Sequence, residues 1–468
     1  MILEIRNICR IANLVCLAHA LPPDGIIGKR TVKSPCRAAC PKLKTNPPMV
    51  LNFIWLFFFF GAFVACLFQW LVLGDASIFS KVVQDSFEMS KTAFEIGLGL
   101  TGILCFWLGV MKIGERAGAV QMLGRLVDPL FRRIFSGIPS GHPATGSMLM
   151  NISANLLGLD NAATPMGLKA MKELQELNEQ EAARTGGDKE AASDAQVLFV
   201  VLHSSSLTLL PVSIMTYRAQ LGAANPADVF LPILLATFFS TMAGLVSVSF
   251  FQNIRLKNPV VMAWLIGLTM AVLGTLWYFA RLSAEQLGAT SALVSGLVLL
   301  GLIVAFMALA VMRKVNAFET FIEGAREGFN TAVMVVPYLV AILVGIAVFR
   351  ASGAMDFLMH GLAAALTALG APADIVPALP TAFMKPLSGS GARGMMIDTM
   401  KTLGPDSFAG RLSCLFQGAT DTTFYVIAVY FGAIGVRNTR HTITCSLIAD
   451  LVGAIAAICM AYLFFPPR

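Results

Sequence analysis

Charged residues are scarce in this chain: Asp, Glu, Lys and Arg make up 13% of its 468 residues, while 56% are hydrophobic. That balance excludes a soluble globular domain, in which about a quarter of residues are charged. Cysteine pairs at metal-binding spacing are lacking too. Cys66, Cys105, Cys414, Cys445 and Cys459 lie singly in apolar segments and read as small buried hydrophobes. Cys9, Cys16, Cys36 and Cys40 have no His or Cys partners at zinc spacing, so neither metal nor cofactor is expected. Gly25-Ile-Ile-Gly28-Lys29-Arg30-Thr31 falls short of a phosphate-binding loop, which excludes a nucleotide-driven motor. A G-x-S-x-G elbow is missing, and His203 and Ser204 are adjacent, so on a helix they point in different directions. No enzyme is expected.

What the chain has is long apolar runs. Nine segments can cross a bilayer, at about 51–73, 92–111, 196–218, 227–251, 259–280, 290–312, 331–349, 410–432 and 441–464. Residues 119–135 set Arg125, Arg132 and Arg133 against an apolar stripe, the pattern of a helix lying at the interface. The net charge of +7 resides in short loops between the runs, so it sets orientation and does not indicate nucleic-acid binding. Lys112 to Arg133, Arg255 with Lys257, Arg313 to Arg326, and Arg437 to His441 are the basic clusters. Placing them in the cytoplasm predicts an internal N-terminus and an external C-terminus.

Two polar stretches interrupt this pattern and read like versions of one another: NISANLLGLDNAATPMGLKAMK (151–172) and PTAFMKPLSGSGARGMMIDTMK (380–401). Gly, Pro, Asn and Ser make them poor simple spans, so each predicts a re-entrant or broken helical hairpin buried by protein. The surrounding halves align as well. Lys91-Thr-Ala matches Asn330-Thr-Ala, Lys172 matches Lys401, and Ser206-Leu-Thr208 matches Thr420-Asp-Thr422. The expected fold is therefore an all-α polytopic membrane protein with two inverted repeats, 49–258 and 285–468, linked by a helix at 259–284. About nine transmembrane helices and two hairpins make it up.

Asp160, Asp421, Arg393 and Lys385 fall at membrane depth, where an unpaired charge costs about 2.5–3.5 kcal/mol or more. Two readings stay open: an internal ion pair, such as Arg393 with an Asp, or groups that bind a polar or anionic solute. Gly389, Gly391 and Gly394 around Ser388 and Ser390 expose N–H groups at a helix start, which suits an anionic or carbonyl-bearing ligand. Ser204–Ser206 with Thr208 are expected to break one helix much as Thr420–Thr423 break its counterpart. The candidate binding set around one central cavity is Asn151, Asn155, Asp160, Asn161, Thr164, Ser205, Ser388, Ser390, Arg393, Thr420, Asp421 and Thr422.

Residues 1–48 mix Arg, Lys, Pro and Cys without periodicity, and Met49 directly precedes the first strong apolar run. They read as an unstructured extension, with Met49 as the physiological start.

Residues 49 to about 255 resemble spore maturation protein A, through NISANLLGLDNAATPMGLKAM and HSSSLTLLPVSIMTYRA. Residues 285–468 resemble spore maturation protein B, through FIEGAREGF, KPLSGSGARG and GPDSFAGRLSCLFQGATDTTFYVIAVYFGAIGVR. The resemblance implies a bacterial inner-membrane protein, a fusion of the two, carrying two copies of the gate domain also found in nucleoside and ferrous-iron transporters. Unlike the iron transporters, the chain has no GTPase domain. The expected function is a secondary transporter or flippase moving a small polar or anionic solute, with an unnamed coupling cation left open. The alternative is a non-transporting scaffold in cell-envelope or spore maturation. Its partners are then the lipid bilayer and the solute, with a homo-oligomer compatible with either reading.

Overall fold

The computed structural model describes residues 50–466, apart from positions 159, 206, 253, 255–257, 369 and 371. The N-terminal extension, Arg255 and Lys257 thus lie outside the described residues, as do the side chains of Asp160 and Asn161. Helix is the element throughout, and its starts are written in the sequence. Asn258 caps the Val260 N–H with Pro259 at the first helical position, and Ser283 forms a reciprocal capping box with Gln286.

The chain opens with α1 (Val50–Leu73), the long α2 (Ser77–Ala117) and the amphipathic α3 (Ala119–Ile134). A hairpin of α4 (Pro143–Leu156) and α5 (Asp160–Thr185) follows, then α6 (Asp194–Ser205), α7 (Val212–Gln220) and α8 (Phe230–Phe251). Helices α9 (Pro259–Phe279) and α10 (Ala284–Met312) connect to the second half. There the same order returns: the long α11 (Ala317–Ala351), α12 (Ala354–Ala368), a hairpin, a two-piece helix and a final long one. The hairpin comprises a 3₁₀ segment (Ala373–Ala378), α13 (Leu379–Met384) and α14 (Gly389–Leu403). The two-piece helix is α15 (Phe408–Ala419) with α16 (Thr423–Ile434), and α17 (Thr442–Phe464) closes the chain.

Among the described residues, seven helices are continuous, long and apolar enough to cross a membrane: α1, α2, α8, α9, α10, α11 and α17. Phe57, Leu71, Met270, Leu293 and Leu297 remain exposed on them, as hydrocarbon-facing side chains must. The other two expected spans, 196–218 and 410–432, are each a two-piece helix, α6 with α7 and α15 with α16, interrupted where the Ser- and Thr-rich stretches were expected to break them. Pro211 and the Ser- and Thr-rich stretches offer the backbone alternatives to helical hydrogen bonding at mid-span.

Counterpart helices pack against each other in opposite directions. Along α2 and α11, Gly97 lies against Val336, Cys105 against Gly328 and Gly109 against Gly324, so one sequence number rises as the other falls. The glycines permit this approach, since a Cβ on Gly328 would stand 2.7 Å from the Cys105 Cα. Lys112 pairs with Glu327 at 2.9 Å and Arg116 with Glu323 at 2.8 Å where the same two helices end their contact. Helices α8 and α17 repeat the arrangement, with the Ser240 hydroxyl donating to the Ala449 carbonyl at 3.0 Å and Ser247 near Cys445.

The loop before each two-piece helix docks on the end of the other one. On one side Arg218, fully buried, pairs with Asp228 at 2.8 Å and Asp406 at 3.0 Å and donates to the Pro405 carbonyl. Arg411 completes the cluster, 2.8 Å from Asp228. Burial pushes the Asp228 carboxyl up from its ordinary range, and Arg218 and Arg411 draw it back. On the other side the Arg437 N–H donates to the Glu190 carbonyl at 3.0 Å and Arg440 pairs with Asp194 at 2.7 Å, both in exposed surroundings.

Candidate functional site

Interrupting a helix inside a membrane frees backbone groups that protein must satisfy. Here the hairpins do so: the Leu209 N–H donates to the Leu156 carbonyl at 2.8 Å, and the Phe424 N–H donates to the Pro386 carbonyl at 3.0 Å. Each break is thus stitched to the hairpin of its own half. The two breaks also meet, because the Asp421 N–H donates to the Ser204 carbonyl at 2.8 Å. Gly158 makes the first hairpin turn feasible. Its φ is +70°, and a Cβ there would stand 2.6 Å from the Leu210 carbonyl oxygen.

A buried polar network surrounds this crossing. His203 Nδ1 lies 3.1 Å from Asn151 Oδ1 and 3.3 Å from Asn155 Nδ2, and its Nε2 lies 3.2 Å from the Tyr430 hydroxyl. Asn151 Nδ2 donates to the Ala163 carbonyl at 2.7 Å. Asp421 Oδ2 stands 3.7 Å from His203 Nε2. Across the second half, the Thr423 hydroxyl donates to Asp450 Oδ2 at 2.7 Å, and Lys385 is near enough to act on the same carboxylate.

A cavity of about 380 Å³ opens beside the network. Asn155, Thr164, Arg393, Thr420, Asp421 and Thr422 of the expected set line it, as does Lys385. The cavity extends along α2 and α11 to Lys112, Glu115 and Glu327, of which the two carboxylates are partly exposed. Asn151, Ser205, Ser388 and Ser390 do not line it. Asn151 is fully buried and holds His203, and the Ser205 hydroxyl donates to the Leu202 carbonyl at 3.3 Å. Ser388 caps α14 by accepting from the Gly391 N–H at 3.1 Å, with the Ser390 hydroxyl 3.3 Å away. The Asp160 and Asn161 side chains lie outside the described residues.

Of the two readings left open, an internal ion pair of Arg393 with Asp421 is not formed among the described residues. Arg393 stands over the Tyr217 ring, 5.8 Å from its centroid, while Asp421 faces His203. Side-chain reach and facing elements decide such pairs, and neither is visible in spacing. His203, Gln417, Tyr430 and Asp450 join the site without having been among its expected members. Asp450 carried a signal, a lone charge in the apolar run 441–464; Gln417 and Tyr430 carried none.

The Gate family model, described as nucleoside recognition, matches residues 98–221 and 332–437. Each match runs from a long helix through a hairpin to a two-piece helix. Spore maturation protein B of Bacillus subtilis (strain 168) is 47% identical over 154 residues, which are 33% of this chain and 85% of that protein. Spore maturation protein A of the same organism is 36% identical over 172 residues, 37% of this chain and 84% of that protein. The chain belongs to the spore maturation protein A and B family of Gate-domain membrane proteins. Its similarities to the A and B proteins fall in different halves, so one polypeptide of this family holds what Bacillus subtilis has in two. No solved structure matches it.

Proposed function

We propose that this protein is a secondary carrier or flippase that moves a small polar or anionic solute through the central cavity. The cavity lies between two inverted Gate repeats, 49–258 and 285–468. One observation carries the reading: two helix breaks from opposite halves meet at Asp421 and Ser204, beside a 380 Å³ cavity lined by charged groups. Discontinuous helices around a midplane site are the architecture of carriers built from inverted repeats. The antiparallel packing of α2 on α11 and of α8 on α17 supports the inversion. Asn155, Thr164, Arg393, Thr420, Asp421 and Thr422 are the proposed lining, with His203 and Lys385 added. The bacterial inner membrane is the proposed location, with the N-terminus inside and the C-terminus outside.

Reconstitution into proteoliposomes tests this. Counterflow of a labelled solute, with nucleosides and small organic anions tried first, is expected in wild type and lost in Asp421→Asn. Flat counterflow across a broad metabolite panel, together with specific recovery of envelope-building enzymes, favours a scaffold and overturns the carrier.

A further inference from the structure

Two polar stripes face the cavity side by side. On the second hairpin, Gly389 and Arg393 share one face of α14 and line it, and Lys385, in the turn before that helix, lines it beside them. Gly389 begins the 15-residue α14; the Ser388 hydroxyl takes the Gly391 N–H, which leaves the Gly389 and Ser390 N–H groups at the positive end of the helix dipole for a ligand. A Cβ at Gly389 would collide with the Thr422 hydroxyl, so glycine keeps the backbone bare there. Arg393 has no anionic partner among the described residues and rests only on the Tyr217 face. This stripe offers donors and positive charge.

The second stripe offers acceptors. Gln417 and Asp421, again four apart, line the cavity from the end of α15 and the break beyond it. Gln417 is 8% exposed, and its Oε1 accepts no hydrogen bond among the described residues. A buried acceptor left in that state is costly. Its Nε2 reaches the Gly389 carbonyl at 3.5 Å, so the orphan acceptor lies next to the start of α14. Acceptor and anion site are therefore neighbours.

We infer that the solute is a small organic anion carrying a hydroxyl or amine donor one or two bonds from its charged group. The anion docks on the α14 start and Arg393, and the donor satisfies Gln417 Oε1 with Asp421 beyond it. This rests on the carrier reading above and names its substrate class. A donor-free anion would leave Gln417 unsatisfied, and an uncharged solute would leave Arg393 without a counter-charge.

Calorimetric titration of the full chain in nanodiscs tests this with two matched pairs, malate against succinate and lactate against propionate. At least one donor-bearing member is expected to bind about tenfold or more tightly than its donor-free twin. Gln417→Leu should erase that preference without weakening the donor-free anion, and Arg393→Gln should weaken both. Gln417→Met serves as a second variant should Gln417→Leu fail to melt like wild type. Equal affinity within both pairs overturns the inference, as does failure of all four compounds to bind or a preference that survives in both Gln417 variants. Uridine binding in place of the anions overturns it while leaving the carrier reading standing; that reading falls separately if no solute crosses the proteoliposome membrane.

Discussion

His203, near the end of α6, stands 3.7 Å from Asp421, in the break between α15 and α16, so the two halves of the chain share one polar centre. Arg393 is held elsewhere, over Tyr217. Asp421→Asn keeps the side-chain size and removes the charge facing the cavity. It is expected to abolish solute counterflow while the protein melts nearly as before. In a double-mutant cycle, Asp421→Asn and Arg393→Gln should add within about 0.5 kcal/mol. Coupling well above that value would show that the two residues pair in the working protein.

Tyr430 reaches across to the first half, its hydroxyl 3.2 Å from His203 and 3.3 Å from Asn151. Tyr430→Phe leaves His203 Nε2 and Asn151 Nδ2 short of a partner in a buried site. The expected destabilisation is about 1–3 kcal/mol, read as a lower melting temperature in nanodiscs. Unchanged melting would mean that the network does not hold the halves together.

The two clamps joining the halves differ in burial, and the difference is measurable. Arg218→Ala would strand Asp228 and Asp406 beside Arg411 alone, an expected loss of about 3–5 kcal/mol. Arg440→Ala removes the pair with Asp194, whose side chain is 62% exposed, an expected loss of about 0–1 kcal/mol. Comparable melting of the two variants would refute the asymmetry.

Orientation gives a fourth test. A reporter active only in the cytoplasm, fused after Arg468, is expected to stay silent, whereas the same reporter in the loop near Arg313 should be active. Activity at the C-terminus would sink the inverted arrangement.

Much of the fold was legible before any coordinates. Apolar runs long enough to cross a bilayer name spans directly, because length and hydrophobicity are local properties. The hairpins at 151–172 and 380–401 were legible for the same reason: Gly, Pro, Asn and Ser cannot sit in lipid as simple spans. Segments 196–218 and 410–432 look apolar enough on average to pass as continuous. Their Ser and Thr clusters marked the breaks, but only neighbouring backbone could satisfy a broken helix. Leu156 and Pro386, which do so, are remote in sequence from Leu209 and, less so, from Phe424.

By itself, then, the sequence determined the membrane class, the spans, the hairpins and the repeated order of elements, all of which depend on composition and periodicity within short windows. Tertiary structure decided which polar groups meet. Asn155 and Asp421 line the cavity, Asn151 instead supports His203, and Ser388 caps a helix. Asp421 faces His203 and not Arg393. The meetings of Asp421 with His203 and of Tyr430 with Asn151 depend on packing of segments more than two hundred residues apart. Sequence spacing reports which face of its own helix a side chain shares, and carries no information about the face packed against it.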